Sequence, residues 1–295
     1  MNSKTHLAGI GFGLLAYGIW GFFPLFFRQL AHVSPMDVLS NRAVWACLFV
    51  GLLLSLRGNW GKVRAVFRQP RQFAMLALAA LLVGSNWLVF LWAVANQQVV
   101  ASSLGYFLTP LVNVLLGLAV LKERLNRLEW ISVGLALAAI ANEIITLGSL
   151  PWVSLILAAT FGTYGLVRKQ VPVDALSGLW LETLAMLPVC LLYALWQSQQ
   201  GHSVFVTADT STALLLVGAG ILTALPLMAF AAATQRLDLA TVGMLMYINP
   251  TMQFFTAVWV FGEPMQSARL VSFGLIWIGL FFFSWSAWQK YRNLG

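Results

Sequence analysis

Residues 103–111 read SLGYFLTPL, inside a stretch from Gln72 to Leu121 that carries no charged side chain. That stretch is too long for one helix, since about 17–25 residues cross a bilayer. The polar run Asn96-Gln97-Gln98 supplies a turn, so SLGYFLTPL lies early in a second span. Proline in a helix interior frees a carbonyl about one turn earlier. In lipid such a group is tolerated only where it faces protein or a wet cavity. Tyr106, Pro110, Asn113 and Gly117 follow at helical spacing, which makes one face polar, small and kinked. A cavity wall gives that pattern, and so does a packing kink whose polar groups bond neighbouring helices.

Composition sets the wider frame. The 295-residue chain is 60% hydrophobic and 9% charged, against about 25% charged in a soluble domain. Its solvent is lipid, and it reads as an all-α integral membrane protein. Apolar runs give ten spans, near 7–27, 38–56, 73–94, 99–121, 130–147, 151–167, 176–196, 212–233, 239–261 and 270–288. The net charge of +8 comes from short basic clusters between spans, at 57–71, 122–127, 168–169, 236 and 290–292. That is the pattern of loops that set membrane orientation, not of a nucleic-acid partner. With the N-terminus in the cytoplasm, only Arg28 and Arg269 fall outside and Arg42 falls within a span. Both termini are therefore expected in the cytoplasm.

The chain also repeats. Pro110 and Pro250, Glu123 and Glu263, Ser132 and Ser272, and Gly134 and Gly274 are each 140 apart. An offset of 141 relates GFFPLFFR (21–28) to GTYGLVRK (162–169). Two units follow, 1–148 and 149–295. Each holds five spans, an odd number, so the halves have opposite topology. Inverted repeats of this kind suit alternating access around a central cavity near the midplane. Pro110 and Pro250 are the expected helix kinks.

GSNWLVFLWAVANQ (84–97), SLGYFLTPLVN (103–113), YGLVRK (164–169) and YINPT (247–251) resemble the RarD subgroup of the EamA transporters, in the drug/metabolite transporter superfamily. The resemblance covers essentially the whole chain. It implies a bacterial inner-membrane permease of ten helices in two inverted five-helix repeats, with spans 5 and 10 peripheral. The subgroup is called chloramphenicol-sensitive protein. This chain departs from its pattern at Asn41 (His in the subgroup), Ala101 (Glu), Thr109 (Asn) and Met246 (Gln). Those changes remove polar or titratable groups from the path, so neither substrate nor coupling ion carries over.

Arg42 and Glu182 are the charges at membrane depth that call for a partner. Spans 2 and 7 are repeat equivalents and Asn41 and Glu182 are 141 apart, so an Arg42–Glu182 pair is expected. Arg42 would hold an anionic group of the substrate, or Glu182 would titrate; a structural salt bridge and snorkelling are the plainer readings. Trp45, Asn86, Trp87, Tyr106, Asn113, Tyr247, Asn249 and Gln253 complete the expected cavity wall. Glu143 reads as interfacial, and Glu123 and Glu263, at span ends, would cap a helix, pair with loop arginines or form part of a gate, structural pairing being the favoured reading.

GIGFG (9–13) opens a membrane span and lacks the third glycine of a dinucleotide fingerprint, and no P-loop occurs. His6, His32 and His202 have no ligand spacing, and Cys47 and Cys190 are isolated in apolar runs. No cofactor, metal or catalytic residue is expected, and the chain reads as a transporter rather than an enzyme. An amphipathic or zwitterionic small molecule suits the aromatic and amide groups. Proton coupling and exchange both remain open, as do a homodimer through spans 5 and 10 and simple lipid contact. The alternative function is a non-transporting membrane scaffold or receptor.

Overall fold

A computed structural model describes residues 3–120, 126–201, 204, 209–234, 236, 245–265 and 267–292. Glu123, and the side chains of Pro110 and Asn113, lie outside the described residues. The elements are α1 (Ser3–Gly21), α2 (Phe23–Arg28), α3 (Pro35–Arg57), α4 (Trp60–Phe67), α5 (Pro70–Ala95), α6 (Val99–Val120), α7 (Arg127–Leu147), α8 (Trp152–Gln170), α9 (Ala175–Gln199), α10 (Thr210–Thr234), α11 (Ile248–Phe255) and α12 (Ser267–Arg292). Among the described residues there is no strand. Among the described residues seven helical stretches are long and apolar enough to cross a membrane, and Val99–Thr109 and Trp152–Arg168 are shorter apolar helices.

Local chemistry sets the helix ends. Ser34 caps α3 with Pro35 in its first turn, and Gly58 ends it in the left-handed region at φ 64°. A capping box opens α7: Asn126 Oδ1 accepts from the Glu129 N–H, and Glu129 Oε2 accepts from the Asn126 N–H. Asp174 caps α9. The turn expected at 96–98 is present, with Gln97 at φ 54°.

Three features differ from expectation. The first span breaks at Phe22, and Pro24 sits in the first turn of α2, where its missing N–H costs no helical bond. The basic segment 57–71 contains α4, which buries Val63 and Val66 beneath its charges. Residues 245 and 246 are helical, Tyr247 interrupts the helix and α11 resumes at Ile248. The carbonyl that Pro250 leaves free lies about one turn before that proline, and a second irregularity follows beyond it. The irregular stretch there is the wider π turn Thr256–Val260. Along α6 the helix continues through residue 110.

The packing is self-consistent under an exchange of halves. α3 packs on α9, α6 on α11, and α7 on α12. α1 packs on α10 as α8 does on α5; α3 packs on α10 as α9 does on α5; α1 packs on α11 as α8 does on α6. Exchanging α1 with α8, α3 with α9, α5 with α10, α6 with α11 and α7 with α12 returns these principal pairs, while the smaller contacts α5–α6, α6–α7 and α6–α12 have no comparable counterpart among the described residues. Two hydrogen bonds obey the same rule. Ser132 Oγ donates to Gly279 O at 2.8 Å and Ser272 Oγ to Ala139 O at 3.2 Å, and both ends of the second bond are 140 residues from those of the first.

Candidate functional site

The direction of α3 and α9 decides what Arg42 can reach. Ser40 lies beside Cys190, Cys47 beside Thr183, and Gly51 against the Trp180 indole nitrogen. Each step forward on α3 is a step back on α9, so the helices are antiparallel. Arg42 is therefore level with residues near Pro188, about 9 Å along the axis from Glu182 at 1.5 Å per residue. The expected Arg42–Glu182 pair does not form. Positions 141 apart on these antiparallel helices are not level with one another, which separates the two charges.

Arg42 is 2% exposed. Its guanidinium lies 4.0 Å from the Trp87 ring centroid, 5.2 Å from that of Phe27 and 5.4 Å from that of Phe23. Arg42 Nε donates to Thr223 Oγ1 of α10. A close approach of backbones makes that contact. A Cβ on Gly220 would fall 2.4 Å from Trp45 Cβ and 2.6 Å from Ala46 N, so only glycine lets α10 lie this near α3. Thr223, less than one turn further on, is then within reach. Arg42 Nη1 is buried with no hydrogen-bond partner. Among the described residues no carboxylate forms an ion pair with Arg42. A charge at this depth costs about 2.5 to more than 10 kcal/mol, and desolvated cation–π contacts return about 2 kcal/mol.

Asn86 anchors three helices beside this cage. Its Nδ2 donates to Leu157 O at 3.0 Å and to Thr160 Oγ1 at 2.9 Å, and its Oδ1 accepts from Tyr106 at 3.0 Å. The amide is fully satisfied.

Glu182 finds a different partner. Its Oε1 is 3.2 Å from Arg168 Nε, and its Oε2 accepts from the Tyr164 hydroxyl at 3.2 Å. Arg168, read from sequence as a loop charge, lies near the end of α8 and folds back over Gly178. A Cβ there would fall 2.4 Å from Arg168 Nη1. Between the two groups runs a column of rings: Phe27–Phe90 at 6.1 Å, Phe90–Tyr106 at 6.2 Å, Tyr106–Phe161 at 6.0 Å and Phe161–Tyr164 at 5.9 Å.

The other expected residues fall elsewhere. Gln253 accepts from Ser102 Oγ at 3.3 Å and donates to Asn249 at 2.8 Å, forming a separate group between α6 and α11. Tyr247 precedes α11, and its carbonyl accepts from the Thr251 hydroxyl at 2.7 Å. Trp45 packs on Gly220, and its indole N–H is buried without a hydrogen-bond partner. The expected residues thus form several packed groups, with Arg42, Asn86, Tyr106, Glu182 and Gln253 all buried. A cleft of about 380 Å³ opens away from them, lined by Gln97, Gln98, Glu143, Trp152, Glu263 and Arg269.

Glu143 is 2% exposed, lies 3.7 Å from Arg269 and lines the cleft beside the 97–98 turn. Glu263 takes the capping role that the sequence left open, and among the described residues it forms no ion pair with an arginine. Its two oxygens accept from the Val99 and Val100 N–H groups at 2.8 and 2.9 Å, capping α6. Phe23, Phe27, Tyr164, Arg168 and Thr223 were not among the expected site residues. The 141 offset carried a signal for four of them, since it sets Phe23 on Tyr164 and Phe27 on Arg168.

The chain is similar to known proteins. The EamA-like transporter family matches residues 7–142. An uncharacterized transporter of Pseudomonas aeruginosa is 44% identical over 97% of this chain and 96% of its own. Protein RarD of Escherichia coli K12 is 39% identical over 99% of both chains. The chloramphenicol-sensitive protein RarD of Pseudomonas aeruginosa is 31% identical over 97% of this chain and 96% of its own. A crystal structure, 19% identical, superposes with a TM-score of 0.57 over 95% of this chain and 96% of that one, a likeness of fold.

Proposed function

Because the chain belongs to the EamA family of transporters, in its RarD subgroup, we propose that it is a secondary transporter moving a small organic metabolite or drug-like molecule across the bacterial inner membrane. The multi-pass helices and the family make it a membrane transporter. The mechanism is alternating access by two inverted five-helix repeats, 1–148 and 149–295, rocking about a shared axis. The exchange of halves in the packing supports this reading. The basic clusters support cytoplasmic termini.

One observation carries the proposal. Arg42 of the first repeat meets Thr223 of the second between the halves, buried and with Nη1 unpartnered. A desolvated cation with spare donor capacity at a repeat interface is a binding group awaiting its ligand, and rocking alters its access from each side. Around it, Trp87, Asn86 and Tyr106 form the wall. Glu182 supplies either a proton-coupling group or an exchangeable partner for Arg168.

The test compares small molecules in cytosol and medium between a strain expressing the chain and one that does not. Redistribution of a defined set of compounds is expected. Identical profiles, with the protein verified in the inner membrane, would contradict the proposal.

A further inference from the structure

We infer that the substrate is an organic monocarboxylate with a flat apolar body, that Arg42 and Arg168 are two stations for its carboxylate, and that Glu182 occupies the second station when the substrate does not. This deepens the transporter reading and rests on it.

The stations correspond by sequence. The 141 offset carries Phe23 to Tyr164, Phe27 to Arg168 and Asn41 to Glu182. Phe23 and Phe27 flank Arg42, and Tyr164 and Arg168 hold Glu182. The two arginines are not themselves equivalent, since the offset carries Arg42 to Thr183 and Phe27 to Arg168; what corresponds is the pair of neighbours around each buried charge. In one station the arginine faces a carboxylate supplied by the chain. In the other, Nη1 is buried without a hydrogen-bond partner and no carboxylate forms an ion pair.

The filled station shows which chemistry the other accepts. A carboxylate satisfies guanidinium donors and their charge together. A neutral ligand would leave the charge unpaired, and a cation would repel it. One arginine per station matches one negative charge. The ring column from Phe27 through Phe90, Tyr106 and Phe161 to Tyr164 joins the stations, and it offers flat apolar faces to the body of the ligand. Arg168 is fitted for exchange, since its guanidinium covers Gly178 and its Nη1 is also without a hydrogen-bond partner. A carboxylate arriving there displaces Glu182, and the return of Glu182 expels it.

The probe is benzoate, with benzamide and benzylammonium as neutral and cationic counterparts. The readout is the thermal unfolding midpoint of the purified full-length protein in detergent. Benzoate alone should raise the midpoint, and Arg42→Gln should reduce the rise to what the Arg168 station contributes. In the Arg42→Gln background, Glu182→Gln should lower the half-effective benzoate concentration by about tenfold, taking an internal competitor that holds the Arg168 station about nine-tenths of the time. A merely structural ion pair does not predict tighter binding. Tyr164→Phe, which frees one Glu182 oxygen, should shift benzoate in the same direction and serves if Glu182→Gln does not fold. Equal stabilisation by benzamide overturns the inference, as does no stabilisation by benzoate, or an unchanged or weaker benzoate response in both variants. Benzoate binding without solute movement in cells would sink the transporter reading and leave the stations standing. Movement of neutral or cationic solutes without benzoate binding would do the reverse.

Discussion

Gly220→Ala tests how the site is assembled. The added methyl would lie 2.4 Å from Trp45 Cβ, 2.6 Å from Ala46 N and 2.7 Å from Trp45 C. Carbon atoms pack comfortably at about 3.5–4.0 Å, so α10 must retreat from α3 by about 1 Å. Two of the three opposing atoms are backbone, so no rotamer change relieves the clash. Overpacking of this kind costs about 1–3 kcal/mol. The retreat also draws Thr223 from Arg42, and a hydrogen bond to a charged group contributes about 1.5–3 kcal/mol. Alanine returns up to about 1 kcal/mol of helix propensity. The net loss is about 2–5 kcal/mol, a fall of roughly 4–10 °C in the unfolding midpoint at about 2 °C per kcal/mol. Thermal unfolding of purified protein measures it. Gly134→Ala is the control, because a Cβ there meets nothing within 4 Å. If Gly220→Ala is as stable as wild type, the close approach does not hold Thr223 against Arg42.

Glu263→Ala should free the first N–H groups of α6 at a cost of about 1–2 kcal/mol, and hydrogen exchange at Val99 and Val100 should rise while α12 stays protected. Ser132→Ala should cost about 0.6–1.7 kcal/mol and Ser272→Ala more, because Ser272 Oγ also accepts from Asn142 at 2.9 Å; a smaller fall in thermal midpoint for Ser272→Ala than for Ser132→Ala would count against that bond. Gly178→Ala should displace the Arg168 guanidinium and loosen Glu182, readable as a lower unfolding midpoint. Asp209, outside the spans, has its carboxyl pKa lowered to about 2 by hydrogen bonds from Ser211 and Thr212. Its contribution is present above the unfolded value near 4 and lost as pH falls toward 2. The difference between wild type and Asp209→Asn should thus be constant from pH 8 to 5 and shrink below pH 4.

Much of this fold was legible because lipid simplifies the reading. Sparse charge and long apolar runs leave helices as the economical solution, and Asn96-Gln97-Gln98 marked a turn that uninterrupted hydropathy would have hidden. The spacing of Ser132 and Ser272 became two hydrogen bonds related by the same offset. Helix register was not legible, because equivalence in sequence says which positions correspond and not which ones touch. Arg42 and Glu182 were matched on correspondence, yet antiparallel packing holds corresponding positions apart. Thr223 was invisible for another reason: its role depends on how close Gly220 lets two helices come. Glu143 read as interfacial from its place late in a span, but the sequence did not show that Arg269 would cover it. α4 escaped notice because it is only eight residues long and its apolar residues are interrupted by Lys62 and Arg64.

The most direct test of alternating access labels a cysteine placed at Thr223, beside Arg42, after Cys47 and Cys190 are changed to alanine. A membrane-impermeant thiol reagent is applied to the outer face in spheroplasts and to the inner face in inverted vesicles. The account predicts labelling from both faces, because one buried position opens to each side in turn. Labelling from a single face, or from neither in a protein shown to transport, would contradict it.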